Sequence, residues 1–491
     1  MQEDYIKLIF GLKLKQIRTD KKLSLFGLSK LSGLSKSYLN EIENGKKYPK
    51  PDKIAILSEK LDVPYDQMVS LKLDKNLAPI GDLLQSKILK EIPLELFGIK
   101  ESNLIDIVAN APAKVNAFIS TIIKIAKNYN FSRESFFLAS VRSFQEANNN
   151  YFEDLEQSVL KFAKAYQVDL DQTVRSQDLK EILVEEFGYT ILDNELSNYD
   201  ALGKLRSLFV PKTKTLLLSN EIDEAQRNFI FAKELAYNFL DIKERLYTFP
   251  WIKFDTFDQV LNNFYASYFA GALIIPSAKI KAKLSAVFEK DTFDANLFLE
   301  AINSFNGSPE SFYQRLTNIL PKAFNIQNLF FLRFTHKANS NKFYLTKELH
   351  LSHQQSPHAN ETNEHYCRRW VSLQKLKDIS LGNNTHEFDV QISNYQDDGV
   401  KYLVLSSATK DPFRDNHYRS ISVGLLINKQ LQRKLNFLED GNIATQNVGV
   451  TCERCPITDC KVREVPAIFL EKKAKNENMA AIVATLNSKF S

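Results

Sequence analysis

Histidine is missing from the first 335 of the chain's 491 residues; His336, His350, His353, His358, His365, His386 and His417 all come later. Nothing in that long stretch can offer an imidazole to a metal ion. Cysteine is scarcer, with Cys367, Cys452, Cys455 and Cys460 confined to the last part of the chain. Four clustered cysteines suit a metal site in a reducing compartment better than a disulfide framework. Tryptophan occurs only as Trp251 and Trp370, and Trp370 is expected in a core. No apolar run approaches the roughly 18 residues of a membrane span. The start, Met1-Gln2-Glu3-Asp4, carries acids where a secretion signal carries Lys or Arg. The expectation is a cytoplasmic protein with no membrane partner.

Hydrophobic residues make up 44% and charged residues 25%, ordinary for globular chains. The length allows roughly three domains. A net charge of +5 conceals an asymmetry: residues 1–70 hold 13 Lys/Arg against 9 Asp/Glu, and the remainder is nearly balanced. A local basic excess fits a polyanionic partner as well as a solvated face.

Residues 1–72 read as short helices with tight links. Ile6, Phe10, Leu14 and Ile17 form one apolar face at helical spacing. Ser24 is placed to cap a second helix, with Leu25, Leu28 and Leu31 inward and Gly33 closing it. Ser35 is placed to cap a third, Lys36 to Glu43, ended by Asn44-Gly45. A further helix, Asp52 to Leu61, turns Ile54, Leu57 and Leu61 inward. The run Leu28-Ser29-x-x-Ser32-Gly33-Leu34-Ser35-x-Ser37-Tyr38-Leu39-x-x-Ile42-Glu43-x-Gly45-x-x-x-Pro49 resembles the Xre/Cro repressor family. The resemblance implies a helix-turn-helix that binds double-stranded DNA with its second helix in the major groove. It makes Lys36, Ser37, Tyr38 and Asn40 groove readers and Lys13, Lys15, Arg18, Lys46 and Lys47 phosphate contacts. Leu25 and Phe26 depart from the Gln and Glu that the family often has near the start of the earlier helix. A small helical protein-interaction module is the plainer alternative.

Residues 73–172 are helical in pattern and are assigned as a linker and dimerisation region. After Pro112, Val115, Phe118, Ile119, Ile122, Ala126 and Tyr129 form one stripe; Phe144, Asn148, Tyr151, Leu155, Phe162 and Tyr166 form another. Either stripe serves a core or a second copy of the chain, and a homodimer is expected because such readers bind paired half-sites.

Residues 173–327 contain Gln226-Arg227-Asn228-Phe229-Ile230-Phe231-Ala232-Lys233-Glu234-Leu235-Ala236-Tyr237 and Tyr265-Ala266-Ser267-Tyr268-Phe269-Ala270-Gly271-Ala272-Leu273-Ile274-Ile275-Pro276. Both stretches resemble the ImmA/IrrE zinc peptidases, whose active helix reads His-Glu-x-x-His. Here Lys233 and Tyr237 replace the two histidines, Glu234 remains, and Tyr265 stands at the third ligand position. A lysine ammonium repels a divalent cation, so the expectation is a pseudo-peptidase with no catalytic residues and no enzyme activity. Glu234 is expected to pair with Lys233 or another base.

Residues 328–491 alternate strand-like runs, Leu329 to Leu332, Tyr402 to Leu405 and Ile421 to Ile427, with helical stretches. The expected class is therefore multidomain: an all-α helix-turn-helix bundle and helical middle, then α+β peptidase-like and α+β sensor domains. Cys452, Cys455 and Cys460 make a C-x2-C-x4-C array, and Cys367 adds a fourth thiol. Thiolates suit zinc and iron–sulfur clusters alike; a redox-labile thiol pair is the third option. His365 is an alternative ligand, and Arg454, Lys461 and Arg463 are placed to offset thiolate charge. The segments His365-Tyr366-Cys367-Arg368-Arg369-Trp370, Thr451-Cys452-Glu453-Arg454-Cys455 and Asp459-Cys460-x-x-Arg463 resemble the short-chain fatty acyl-CoA regulators. That resemblance implies an acyl-CoA effector and favours an iron–sulfur cluster, with zinc as the alternative. Arg368, Arg369, Lys410, Arg414 and Arg419 are the cations expected to meet the effector's phosphates.

The sequence thus points to a homodimeric transcriptional regulator sensing short-chain acyl-CoA or redox state. A phage-style or antitoxin repressor without a small effector and an active zinc peptidase are the rival readings.

Overall fold

Serine hydroxyls and a left-handed glycine set the helix boundaries of the amino-terminal bundle. The computed structural model describes residues 2–70, 133–203, 205–249, 255–351, 364–382, 384–396, 399–411 and 413–490. The chain divides into two compact units, Met1–Ser140 and Val141–Ser491. In the first, helices α1 (Gln2–Asp20), α2 (Leu25–Ser32), α3 (Lys36–Glu43), α4 (Pro51–Leu61) and α5 (Tyr65–Val69) follow one another closely. Ser24 Oγ accepts from the Gly27 amide at 2.9 Å to start α2, and Ser35 Oγ accepts from Tyr38 at 3.2 Å to start α3. Gly33 ends α2 at φ +67°, a conformation that costs glycine little. Phe10, Leu14, Leu28, Leu39, Ile42, Ile54, Leu57, Leu61 and Met68 form the core of this unit. Leu31 departs from expectation and faces solvent, because the buried seam of α2 runs through Leu28 and Ser32, one turn apart. At Gly11 a Cβ would lie 2.2 Å from the Ile42 carbonyl oxygen, so α1 can cross the end of α3 only with glycine there.

The first stripe, from Val115 to Tyr129, lies outside the described residues. The second is broken between α6 (Arg133–Ala147) and α7 (Glu153–Ala165) by Asn149 and Asn150, both at positive φ. Phe144 meets Phe152 and Tyr265, and Phe162 is fully buried in the core of the second unit. Phe144 and Phe162 of this stripe therefore pack within their own chain, while Asn148 stays exposed.

The second unit continues with α8 (Ser176–Glu185), β1 (Thr190–Leu192), β2 (Ser207–Val210), β3 (Thr215–Leu218), α9 (Glu224–Phe239) and β4 (Thr248–Phe249). Helices α10 (Phe257–Ile274), α11 (Ser277–Phe288), α12 (Ala295–Asn303) and α13 (Pro309–Phe324) follow. The four strands form a mixed sheet in the order β1-β3-β2-β4. The remaining elements are β5 (Leu329–Lys337), β6 (Phe343–His350), α14 (Val371–Leu381), β7 (His386–Tyr395), β8 (Lys401–Lys410), β9 (His417–Leu426), β10 (Ala444–Val448) and α15 (Ile468–Phe490). Their sheet runs β10-β7-β8-β9-β5-β6, antiparallel except for β10 against β7.

Alternation along the central strands gives this sheet two apolar faces. Phe330, Leu332, Tyr402 and Val404 join Trp370, Leu373 and Leu376 around α14. Leu329, Phe331, Leu403, Leu405, Ile421, Val423 and Leu425 join helices α9 to α13. Gly424 leaves room for Phe330, whose ring would lie 2.2 Å from a Cβ there. The packing crosses the expected domain limits at 172/173 and 327/328. One core cluster runs from Val159 to Ile443, and Arg315 donates to both oxygens of buried Glu156 at 2.6 and 2.8 Å. Among the described residues no helix is long and apolar enough to cross a membrane.

Candidate nucleic-acid interface and cysteine site

Capping fixes α3 so that one face enters the bundle and the other meets water. Leu39, Ile42 and Glu43 are buried, whereas Lys36, Ser37 and Asn40 are exposed and Tyr38 is half-buried. Lys47 Nζ sits 5.2 Å from the Tyr38 ring centre and 3.7 Å from Glu41. Lys46 and Lys47 are exposed just beyond the helix, and Lys15 is half-buried on α1.

Two expected phosphate contacts are corrected. Lys13 is buried, and its Nζ donates to the carbonyls of Gln67 and Ser70 at 3.0 and 2.5 Å and to Ser70 Oγ at 2.8 Å. A cation there offsets the negative end of α5. Arg18 donates to the two carboxylate oxygens of Glu43 at 2.6 and 2.9 Å and to the Leu23 carbonyl at 2.8 Å. Both guanidinium and ammonium are spent on interior geometry. Phe26 stands 57% exposed on α2 with Lys30 Nζ 4.9 Å from its ring centre, so the departure noted in the sequence is a surface feature.

On α9, Glu234 finds its base in Arg245. Arg245 Nη2 donates to both carboxylate oxygens at 2.6 and 2.7 Å, and Tyr189 Oη donates at 3.0 Å. Lys233 instead donates to Asn263 Oδ1 at 2.5 Å. Burial lowers the Lys233 ammonium to about 7, because desolvation penalises the charged form. Tyr265 meets Phe144 and Phe264. The cleft beside Lys233, Glu234 and Tyr237 has about 10 Å³ of free volume, room for about one water.

The cysteines depend on a small backbone junction. Tyr366 bridges Thr451, the Cys367 amide donates to Val450 at 3.0 Å, and the Cys452 amide donates to His365 at 2.8 Å. Trp370 Nε1 donates to the Gly449 carbonyl at 3.0 Å, and a Cβ at Gly449 would lie 2.7 Å from Cys455 Sγ. Cys367, Cys452 and Cys455 are buried free thiols, and Cys460 is half-buried. Burial pushes the Cys367 thiol up to about 11, with Cys455 and Cys452 adding to the rise. As placed, no group of three or more His, Cys, Asp or Glu among the described residues is arranged to hold a metal ion. The donor chemistry fits a thiophilic group, while the arrangement is not that of closed ligation.

Two of the three cations assigned to offset thiolate charge, Arg454 and Arg463, have structural partners. Arg454 grips Glu364 at 2.7 and 2.9 Å. Arg463 donates to the carbonyls of Cys452, Cys455 and Ile457, thereby shaping the cysteine loop. His365 Nδ1 lies 2.8 Å from Glu453. Arg369, Gln374, Gln446, Asp459, Lys461 and Val462 line an open groove of about 340 Å³ beside the loop.

The five expected effector cations do not converge. Arg368 covers the Phe343 ring and donates to the Asn341 carbonyl at 2.6 Å. Lys410 and Arg414 are exposed at the β8–β9 end, and Arg419 approaches Glu310 at 3.6 Å on the opposite sheet face from α14. Arg206, Arg333 and Lys347, which the sequence reading missed, accompany Arg419 near Glu310. Their only sequence signal is positive charge, scattered from residue 206 to residue 347.

Residues 14–68 match the helix-turn-helix family HTH_3. The HTH-type transcriptional repressor RghR of Bacillus subtilis (strain 168) is 39% identical over 61 residues, 12% of this chain and 45% of that protein. The uncharacterized HTH-type transcriptional regulator RghRB of the same organism is 39% identical over 62 residues, covering 12% of this chain and 45% of that protein. The chain thus spans less than half the length of these curated relatives. A solved Mycobacterium tuberculosis transcriptional regulator aligns over 66% of this chain and 93% of its own, at 19% identity and a TM-score of 0.46.

Proposed function

We propose, from the premise that an Xre-type helix-turn-helix domain stands near the amino end, that the chain is a sequence-specific regulator of transcription. The observation that carries this reading is the capped α3, which turns Lys36, Ser37 and Asn40 outward from a helix anchored by Leu39 and Ile42. Base edges are read by side chains on such a helix, whereas Lys15, Lys46 and Lys47 supply sequence-independent attraction to phosphates. The two Bacillus relatives, a transcriptional repressor and a transcriptional regulator by name, support the same class of function. A homodimer on paired half-sites belongs to the proposal.

The second unit is proposed to be the sensor, for short-chain acyl-CoA, for redox state, or for both. An effector shifts the DNA readers only by binding their two arrangements unequally. The proposed cofactor is an iron–sulfur cluster on Cys367, Cys452, Cys455 and Cys460, with zinc as the alternative; a cluster supplies a redox-sensitive charge there. The chain's own residues prepare the place: Arg463 gathers the loop carbonyls and Trp370 pins Gly449. The peptidase-like region is proposed to be catalytically silent, since Lys233 and Tyr237 occupy the metal-ligand positions and Arg245 engages Glu234.

The test is operator selection with the full chain, followed by variants. Tyr38→Ala and Asn40→Ala should lose preference for the selected duplex, while Lys46→Ala should weaken all duplexes alike. Uniform loss from all three would remove α3 as the reader.

A further inference from the structure

Two arginines from separate strands of the second unit meet at one carboxylate, and Lys347 and Arg206 are close enough to act on its charge. Glu310 lies in the first turn of α13, behind the Ser308 cap. Arg333 on β5 donates to Glu310 Oε1 at 2.9 Å, and Arg419 on β9 lies 3.6 Å from Oε2. Lys347 is the β6 partner of Arg333, and Arg419 is the β9 partner of Thr335, two residues along the same β5 face. Arg206 precedes β2 and rests its guanidinium 4.8 Å from the Phe413 ring centre.

Burial opposes the Glu310 charge, yet Arg333, Lys347, Arg419 and Arg206 together hold its carboxyl down to about 2. Burial and then Arg419 lower Arg206 to about 10, with Glu310 and Asp411 acting the other way. Among these groups, four cations face two carboxylates. Desolvating like charges beside the apolar Phe331 and Ile421 is costly, and a fold seeking stability alone does better with packed hydrocarbon. A dianion placed among them removes the excess. Arginines braced in this way present ready donors to oxyanions: Arg333 is held by Glu310 and by Thr346 Oγ1 at 3.0 Å. The cluster is reachable from solvent along one side: Lys347 is an exposed residue whose ammonium, 5.9 Å from the Phe331 ring centre, is lowered by burial to about 8 and still charged at neutral pH, and the Arg333 side chain is 29% exposed.

We propose that Arg206, Arg333, Lys347 and Arg419 form a binding site for a small multiply charged oxyanion, the phosphate or diphosphate group of a soluble ligand. Glu310 is the positioning residue: it aligns two arginines and competes with the incoming anion. The site deepens the sensor reading, because Arg419 is one of the cations expected to meet an effector's phosphates, and it rests on that reading only for the identity of the ligand. Pyrophosphate tests the site without an acyl group, so its failure is distinct from failure of the DNA-reading proposal.

The test is isothermal titration of the full chain with pyrophosphate, with chloride matching the ionic strength. One saturable site per chain is expected. Lys347→Gln, at an exposed position, should weaken binding about tenfold, the equivalent of roughly 1.4 kcal/mol. Glu310→Gln should tighten binding several-fold, opposite to the effect of disrupting a merely structural ion pair. Absence of saturable heat would overturn the proposal, as would equal affinity in the wild type, Lys347→Gln and Glu310→Gln.

Discussion

Arg245 closes on Glu234 through two hydrogen bonds of 2.6 and 2.7 Å, with both side chains under a tenth exposed. Removing one member of such a pair leaves the other charged and buried. Glu234→Gln should therefore destabilise the second unit by about 3–5 kcal/mol, read from urea unfolding. Next to it, Lys233 carries the opposite kind of strain. Its folded value of about 7 lies below the ordinary lysine value of 10.5. Between those values the unfolded chain binds more protons, so stability contributed at this position rises with pH, by at most about 1.4 kcal/mol per unit. Lys233→Met should stabilise the chain near neutral pH, and its advantage should shrink as pH is raised from 7 toward 10. A pH-independent difference in unfolding midpoint would show that the ammonium is not the cause.

At the scale of elements, the contact between α1 and α3 carries a sharp expectation. A methyl at Gly11 would lie 2.2 Å from the Ile42 carbonyl oxygen, and overpacking of this kind costs about 1–3 kcal/mol. Gly11→Ala should weaken operator binding along with thermal stability, because α3 ends at that contact; an unchanged melting curve would mean that α1 moves aside freely. The amino-terminal bundle was legible because its signals are local. Ser24, Gly33 and Ser35 mark boundaries within a few residues of themselves, and the spacing of Ile54, Leu57 and Leu61 gives the α4 face directly. The strands at Leu329, Tyr402 and Ile421 were legible for the same reason. Lys13 and Arg18 were misread because charge alone does not reveal a partner: Ser70 and Glu43 lie 57 and 25 residues away. The cations around Glu310 were invisible as a group, since only the pairing of β5 with β6 and β9 brings them together.

At the scale of the whole molecule, the cysteine site gives the clearest chemical prediction. If the four thiols share one cluster, protein purified under nitrogen should hold iron and sulfide, and Cys367→Ser should lower them as much as Cys455→Ser. Colourless protein with equimolar zinc would favour the alternative cofactor, and a full metal complement in Cys367→Ser would exclude that residue as a ligand. The shared core has its own signature: β5, β8, α9 and α10 contribute to one apolar cluster, so their amides should lose exchange protection together. The packing also bears on how the gene is cut. A fragment beginning at residue 328 would carry Leu329, Phe331, Leu403, Leu405, Ile421, Val423 and Leu425 with the helices that cover them removed. Expressed alone, that fragment should collect in inclusion bodies; a soluble version must start before α7, so that its greasy side travels with its own lid.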